Sequence, residues 1–233
     1  MSENILPYIE KAIDPNEAYP GYPSQRLVLS EQEIDLGIIP DGPWTMNDTD
    51  RPSPDESMSY QEAGYAVDAV GRPLHPFFKE MAINPDVGVI SGKGAYWNWG
   101  PNYTADAIVI TEEVEPRILL IQRGDTGNWA LPGGFTEPTD PDVLYSTLRE
   151  LKEETTLKLD VGGELVYKGI VGDRRTTAHA WAETSAYLLR IPEAAPVTGS
   201  DDAEKAKWFR LSEIKDTLFG SHEFLIEQAL KRL

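Results

Sequence analysis

The residues whose types and spacing could do chemistry lie between Leu131 and Thr155. Glu150, Glu153 and Glu154 are three and one positions apart, and at about 100° per residue a helix gathers them on one side. Leu144, Leu148 and Leu151 recur at four and three positions and line the roughly opposite side, the stripe such a helix buries. A glutamate cluster on a helix is ordinarily a solvated surface, and Arg149 can add a weak pair with Glu153 one turn on. Glu150 and Glu154, however, are like charges one turn apart, which repel by roughly 0.2–0.5 kcal/mol unless something neutralises them. A hard cation would do so. Oxygen donors without thiolate or clustered histidine suit Mg2+, with Mn2+ possible, ions that keep waters and bridge to substrate phosphates.

The run Leu131-Pro132-Gly133-Gly134-Phe135-Thr136-Glu137 reads as a loop whose glycines let the backbone approach a phosphate and its metal closely. The spacing then predicts a helix from Pro141 to Thr155, with Asp140 as its cap and Pro141 in the first turn, where a missing donor costs nothing. Loop and carboxylate face together imply phosphate chemistry.

The surrounding elements must hold that helix against a sheet. Ala107-Ile108-Val109-Ile110 and Ile118-Leu119-Leu120-Ile121 are β-type runs separated by a polar turn, which predicts a hairpin. Further β-type runs at 165–171, 182–191 and 206–209, with helical patterns at 141–155 and 221–232, predict an α/β fold with a mixed sheet covered by helices. Residues 1–101 hold twelve of the eighteen prolines and 16 acids against 6 bases, so they read as loop-rich. They also carry Trp44, Tyr60, Tyr65, Phe77, Phe78, Tyr96, Trp97 and Trp99, aromatic surface that calls for burial. The reading is an ordered proline-rich acidic subdomain over 1–101 packed on a catalytic domain over 102–233.

Composition excludes several function classes. The 233 residues carry 39 acids against 21 bases, a formal charge of −18, and no cluster of Lys and Arg that could hold a nucleic-acid backbone. With no cysteine there is no disulfide, thiolate zinc site or cysteine nucleophile. No basic start with an apolar stretch marks a secretory signal, and the longest aliphatic runs are far shorter than the roughly 20 residues that cross a bilayer. A soluble, cytoplasmic protein acting on a small molecule is expected, without nucleic acid or membrane as partner; oligomeric state is open, with a monomer favoured.

Gly134 followed by Arg149-Glu150-Leu151-Lys152-Glu153-Glu154 resembles the box of the Nudix hydrolases, a glycine and an upstream glutamate followed by Arg-Glu-aliphatic-any-Glu-Glu-any-Gly-aliphatic. The chain departs from that pattern in three places. Fourteen residues separate Gly134 from Arg149, one more than in the pattern; the upstream glutamate is absent, with Asp140 or Asp142 nearest; and Thr156 stands where the late glycine belongs. The resemblance is to the mitochondrial ADP-ribose pyrophosphatases and the homologous domain of ADP-ribose-gated melastatin-type channels. It is carried by Trp99-Gly100-Pro101-Asn102 with Ala105-Asp106, Trp129 to Gly134, Val166 to Gly169, Asp173 to Glu183, Asp201-Asp202 with Lys207-Trp208, and Ser221-His222. Residues 1–95 match only in Tyr22-Pro23-Ser24 and little else.

The resemblance implies a Nudix-type α/β/α sandwich and a pyrophosphohydrolase. It implies that Glu150, Glu153 and Glu154 hold Mg2+, that Arg149 orients the carboxylates as part of the catalytic set, and that Asp173, Arg175, Ser221 and His222 bind substrate. Ala178 and His179 stand where relatives carry aspartate and asparagine. The implied reaction is hydrolysis of ADP-ribose to AMP and ribose 5-phosphate. Hydrolysis of another nucleoside diphosphate derivative, such as NADH, a dinucleoside polyphosphate or a sugar nucleotide, is the alternative within the family, and binding of ADP-ribose without hydrolysis the alternative outside catalysis.

Overall fold

The computed structural model describes residues 26–40, 51–85, 87–214 and 218–233. Trp44 and Tyr22-Pro23-Ser24 lie outside the described residues. The chain forms two compact units, one of residues 1–102 with 170–182 and one of 103–169 with 183–233.

Strands β1 (Gly100–Thr111) and β2 (Arg117–Arg123) form the expected antiparallel hairpin, with Ile110 opposite Ile118. Arg117 closes its turn, donating its backbone N–H to the Thr111 hydroxyl at 2.9 Å and its guanidinium to Glu113. The other strands are β3 (Trp129–Ala130), β4 (Gly133–Phe135), β5 (Glu164–Ile170), β6 (Ala180–Ile191) and β7 (Ala203–Arg210). They complete a seven-stranded sheet of order β3-β2-β1-β6-β5, with β4 also on β1 and β7 also on β2. The fold is the mixed α/β class expected.

Helix α4 (Val143–Thr155) covers this sheet, preceded in the chain by α1 (Glu31–Asp35), α2 (Pro54–Glu62) and α3 (Phe78–Ile83) and followed by α5 (His222–Leu230). Its leucine stripe packs as the spacing requires. Leu151 is wholly buried, and Leu144 and Leu148 partly so, in a cluster with Ala107, Val109, Leu119, Leu157, Leu189 and Ile191. Alternation along β1 turns Ile108 and Ile110 to the other face, where they too are buried. Phe224 of α5 meets Tyr167 of β5 edge-on at 5.0 Å.

The helix start corrects the sequence reading. Asp142 is the cap, accepting the Tyr145 N–H at 2.8 Å, and the helix begins at Val143. Asp140 is instead drawn to Arg149, because an ion pair in a half-buried site outweighs one exposed backbone donor. At the other end Thr156 has φ 61°, the left-handed geometry that explains a glycine in the family pattern.

The first unit has its own core, in which Leu29, Ile39, Phe78, Met81, Ala82, Val87 and Val89 gather around Ala178. Two of its short helices start with capping boxes, Ser30 with Glu33 and Ser53 with Glu56. Of the expected aromatics, Phe78, Tyr96 and Trp99 are buried, whereas Trp97 is 72% exposed. Beneath them Asp68 takes the Arg72 guanidinium at 2.7 Å and lies 3.3 Å from the Nε2 of His179, which is wholly buried. Burial alone would raise the Asp68 carboxyl, but the His179 and Arg72 hydrogen bonds outweigh it and hold the group down at about 2.

Two substitutions test these packing statements. Leu151→Ala should lower unfolding stability by about 2–5 kcal/mol, since a fully buried leucine leaves a cavity, whereas Val114→Ser at the exposed hairpin tip should change it by less than about 0.5 kcal/mol. Thr156→Gly should raise stability by about 1 kcal/mol, because the left-handed conformation costs a β-branched residue roughly 1–2 kcal/mol and glycine almost nothing. Urea denaturation of each variant measures both.

Candidate active site

The carboxylate helix meets the glycine loop through the backbone. Strand β4 pairs antiparallel with β1, placing Gly133 opposite Asp106 and Gly134 opposite Ala105. The Gly133 N–H donates to Glu154 Oε2 at 2.8 Å. A Cβ on Gly133 would fall 2.4 Å from the Ala105 carbonyl, and one on Gly134 would fall 2.6 Å from Glu150 Oε2. Gly133 is required by its close approach to the backbone of β1, whereas a side chain on Gly134 would instead have to displace the Glu150 carboxylate.

Arg149 organises the remainder. Its Nε and Nη2 reach Asp140 at 3.2 and 3.0 Å, and Nη2 also donates to the Phe135 carbonyl at 3.1 Å. Its Nη1 donates to Glu150 at 2.8 Å and Glu153 at 3.0 Å. The hydrogen bonds to Asp140 and the surrounding carboxylates raise the guanidinium pKa still further. Asp140 in turn is held down at about 2, first by Arg149 and then by the Glu137 N–H and the Ser146 hydroxyl. The acid nearest the pattern's missing glutamate therefore anchors the arginine from the loop side.

The glutamates do not form a water-facing stripe. Glu153 is 43% exposed at its side chain, but Glu150 only 14%, and Glu154 is buried. Burial pushes the Glu150 carboxyl up against the pull of Arg149. Burial pushes Glu154 further, to about 8; the Gly133 N–H and Arg123 oppose this, and the charges of Glu150 and Asp106 add to it. Arg123 and Asp106 are site residues that helix spacing cannot reveal. Asp106 is buried on β1 and accepts the Thr184 hydroxyl of β6. Arg123 sits at a register shift of β2 against β7, paired with Asp125 at 2.9 Å and stacked 4.4 Å from the Phe219 ring centre.

Ser221 and His222 start α5. Ser221 occupies the cap position without a side-chain capping bond. His222 Nδ1 accepts the Leu131 N–H at 2.7 Å, which puts its proton on Nε2, 3.8 Å from Asp106 Oδ1. The structure thus ties His222 to the root of the glycine loop. Trp129, beside that root, packs edge-on against Phe209 at 4.7 Å.

Asp173 and Arg175 belong to the first unit, where they form a bidentate pair at 2.9 and 2.6 Å with the guanidinium 5.2 Å from the Tyr96 ring centre. The neighbouring Thr176 hydroxyl is buried without a hydrogen-bond partner among the described residues. Ala178 and His179, the two departures in this segment, are wholly buried: Ala178 lies in the first unit's core, and His179 accepts the Gly92 N–H.

Among the described residues, no three His, Asp or Glu side chains converge into a ready-made metal cage. The donor set still fits Mg2+, which is commonly held by one or two carboxylates together with waters and substrate phosphates. Glu154, buried beside Glu150 and Asp106, is the group whose charge most needs a cation.

The family model of the NUDIX domain matches residues 101–228, more than half of the chain. The chain belongs to the Nudix family. It is 28% identical over 194 residues to the mitochondrial ADP-ribose pyrophosphatase of Rattus norvegicus, an alignment covering 67% of this chain and 53% of that protein. It is 26% identical over 274 residues to the transient receptor potential cation channel subfamily M member-like 2 of Nematostella vectensis, covering 91% of this chain and 17% of the channel. The chain thus spans about half of one curated relative and a small part of the other. Among solved structures, the NUDIX domain of Shewanella oneidensis NrtR complexed with ADP ribose superposes with a TM-score of 0.50 at 27% identity, covering 57% of this chain and 88% of that one. No helix among the described residues is long and apolar enough to cross a membrane.

The buried carboxyl of Glu154 makes a signed prediction. Its folded pKa is raised from the ordinary 4.5 to about 8, so in that window the folded state binds more protons and metal-free stability falls as pH rises. Glu154→Gln should remove this part of the slope and be the more stable chain at pH 8, by on the order of a few kcal/mol. Chelator-treated urea melts at several pH values, comparing the two chains, check it.

Proposed function

We propose that this Nudix chain hydrolyses the pyrophosphate bond of ADP-ribose, giving AMP and ribose 5-phosphate, with Mg2+ held by Glu150, Glu153 and Glu154. The observation that carries the reading is the junction of the Gly133 N–H with buried Glu154, because it sets a glycine loop that can admit a phosphate directly against acids that need a cation. ADP-ribose is favoured over other nucleoside diphosphate derivatives by the name of the rat relative and the ligand of the NrtR domain.

A pyrophosphate bond is unstable in water but long-lived, since its negative oxygens repel a nucleophile. Magnesium at these glutamates would neutralise phosphate oxygens and acidify a bound water. The chain's own contribution is placement. Arg149 fixes Glu150 and Glu153 through Asp140 and the Phe135 carbonyl, so their oxygens need no reorganisation when charge arrives. Gly133 and Gly134 keep the loop close without side chains. His222 holds Leu131, where that loop begins. Asp173 and Arg175 are proposed as substrate-binding residues, supported by the resemblance of their segment and by the orphan hydroxyl of Thr176 beside them.

One observation favours a second reading, ADP-ribose binding without turnover: the likeness to the channel of Nematostella vectensis covers 91% of this chain. Product analysis with ADP-ribose, NADH, a dinucleoside polyphosphate and a sugar nucleotide, each with Mg2+ and with chelator, separates the readings. The hydrolase reading expects AMP from ADP-ribose only with the cation, and tight binding without product would overturn it. Glu154→Gln should cost at least about 10²-fold in kcat, as loss of a group acting on the transition state does. Arg175→Ala should instead raise KM with kcat nearly unchanged, since a guanidinium on a phosphate or ribose acts in ground and transition states alike. Steady-state kinetics measure both, and an unaltered KM would remove Arg175 from the binding set.

A further inference from the structure

The C-terminal end of α4 carries Glu153 and Glu154, and its last carbonyls have no partners within the helix. They are satisfied from a segment more than forty residues further along the chain. The Ser200 hydroxyl donates to the Glu153 carbonyl, the Ser200 N–H to the Glu154 carbonyl at 3.0 Å, and the Thr198 N–H to the Thr155 carbonyl at 3.1 Å. One residue thus holds the backbone of both glutamates.

That segment is itself tightly fixed. Gly199 lies so close to β7 that a Cβ would sit 2.6 Å from the Lys205 Cα, so only glycine fits. Asp201, directly after Ser200, has φ 53°, the left-handed turn conformation that aspartate tolerates better than most residues. The turn is closed by the Ala203 N–H on the Ser200 carbonyl at 3.0 Å, and the Gly124 N–H at the end of β2 donates to the Asp202 carbonyl at 3.2 Å. The turn that caps the helix is thus fixed by β7 on one side and by the end of β2 on the other.

We propose that Ser200 is a positioning residue of the active site, which sets the reach of Glu153 and Glu154 toward the cation by clamping their carbonyls to the 198–203 turn. The inference rests on the cation-dependent reading above. Its mechanism is leverage: a carboxylate at the end of a frayed last turn samples positions an ångström or more from the productive one, and small misplacements are costly in rate and in metal affinity.

The test uses the full chain with Ser200→Ala, which removes the hydroxyl bond and keeps the N–H bond, and Ser200→Thr, which keeps both. Two quantities are read well below the melting temperature: the Mn2+ dissociation constant by titration of the ion's paramagnetic signal, and kcat and KM for ADP-ribose with Mg2+. Ser200→Ala should bind Mn2+ about 10-fold more weakly and lose about 10-fold in kcat with KM within about twofold, and Ser200→Thr should restore both. A lowered melting temperature with unchanged Mn2+ affinity would mean a structural cap only and would overturn the proposal. Equal Mn2+ binding by wild type and Ser200→Ala, including none by either, overturns it whatever the turnover. If wild type binds Mn2+ but hydrolyses nothing, the hydrolase reading fails while a weaker Mn2+ affinity in Ser200→Ala still upholds the clamp.

Discussion

The guanidinium of Arg149 is the interaction on which the site depends. It donates five hydrogen bonds, to two oxygens of Asp140, the Phe135 carbonyl, Glu150 and Glu153, which equals the number of N–H groups an arginine has. Three separate parts of the chain are joined in this way: strand β4, the turn before α4 and the helix itself. A lysine could not do the same, because a single ammonium lacks the planar fork that addresses carboxylate and carbonyl together. Without this cation Asp140, Glu150 and Glu153 would lose the one donor they share.

Arg149 does not neutralise everything. Glu154 lies beyond its reach, buried, and takes a backbone N–H instead of a guanidinium. The charge it carries above about pH 8 is offset only in part by Arg123. This arrangement is a poor one for stability and a good one for binding a cation, which is the usual relation between an active site and the fold that carries it. The leucine face of the same helix meets the opposite demand, since Leu151 is wholly buried among aliphatic residues of three strands. One helix is thus anchored by apolar burial on one side and held under electrostatic tension on the other.

Polar burial in the first unit serves another end. Asp68, Arg72 and His179 are all nearly inaccessible, and each has a partner, so the charges rest in a closed network instead of seeking a ligand. His179 also accepts the Gly92 N–H, which ties the returning segment 170–182 into its own unit. The histidine at 179 is thereby explained as a matter of core architecture.

Much of this was legible in the residues themselves. The spacing of Leu144, Leu148 and Leu151 specifies which side of α4 is buried, and the runs 107–110 and 118–121 specify the hairpin, because periodicity reports on which side of an element meets the core. The box around Arg149 to Glu154 was equally open to reading, since its residues are neighbours in the chain. What sequence could not decide were the relations between residues distant in it. Asp140 and Asp142 are equally plausible helix caps by type; only the position of Arg149 in space draws Asp140 away and leaves the cap to Asp142. Glutamates at 150 and 154 look like solvent-facing residues until the glycine loop closes over them. Asp106 lies in a segment of resemblance that gives it no role, Arg123 and Ser200 lie in none, and strand pairing and a turn bring all three beside the glycine loop and the helix. Local pattern determines the elements and the chemistry they can offer; burial, pairing and the electrostatics that follow from them arise only when the chain has folded, because they belong to contacts and not to positions in a string.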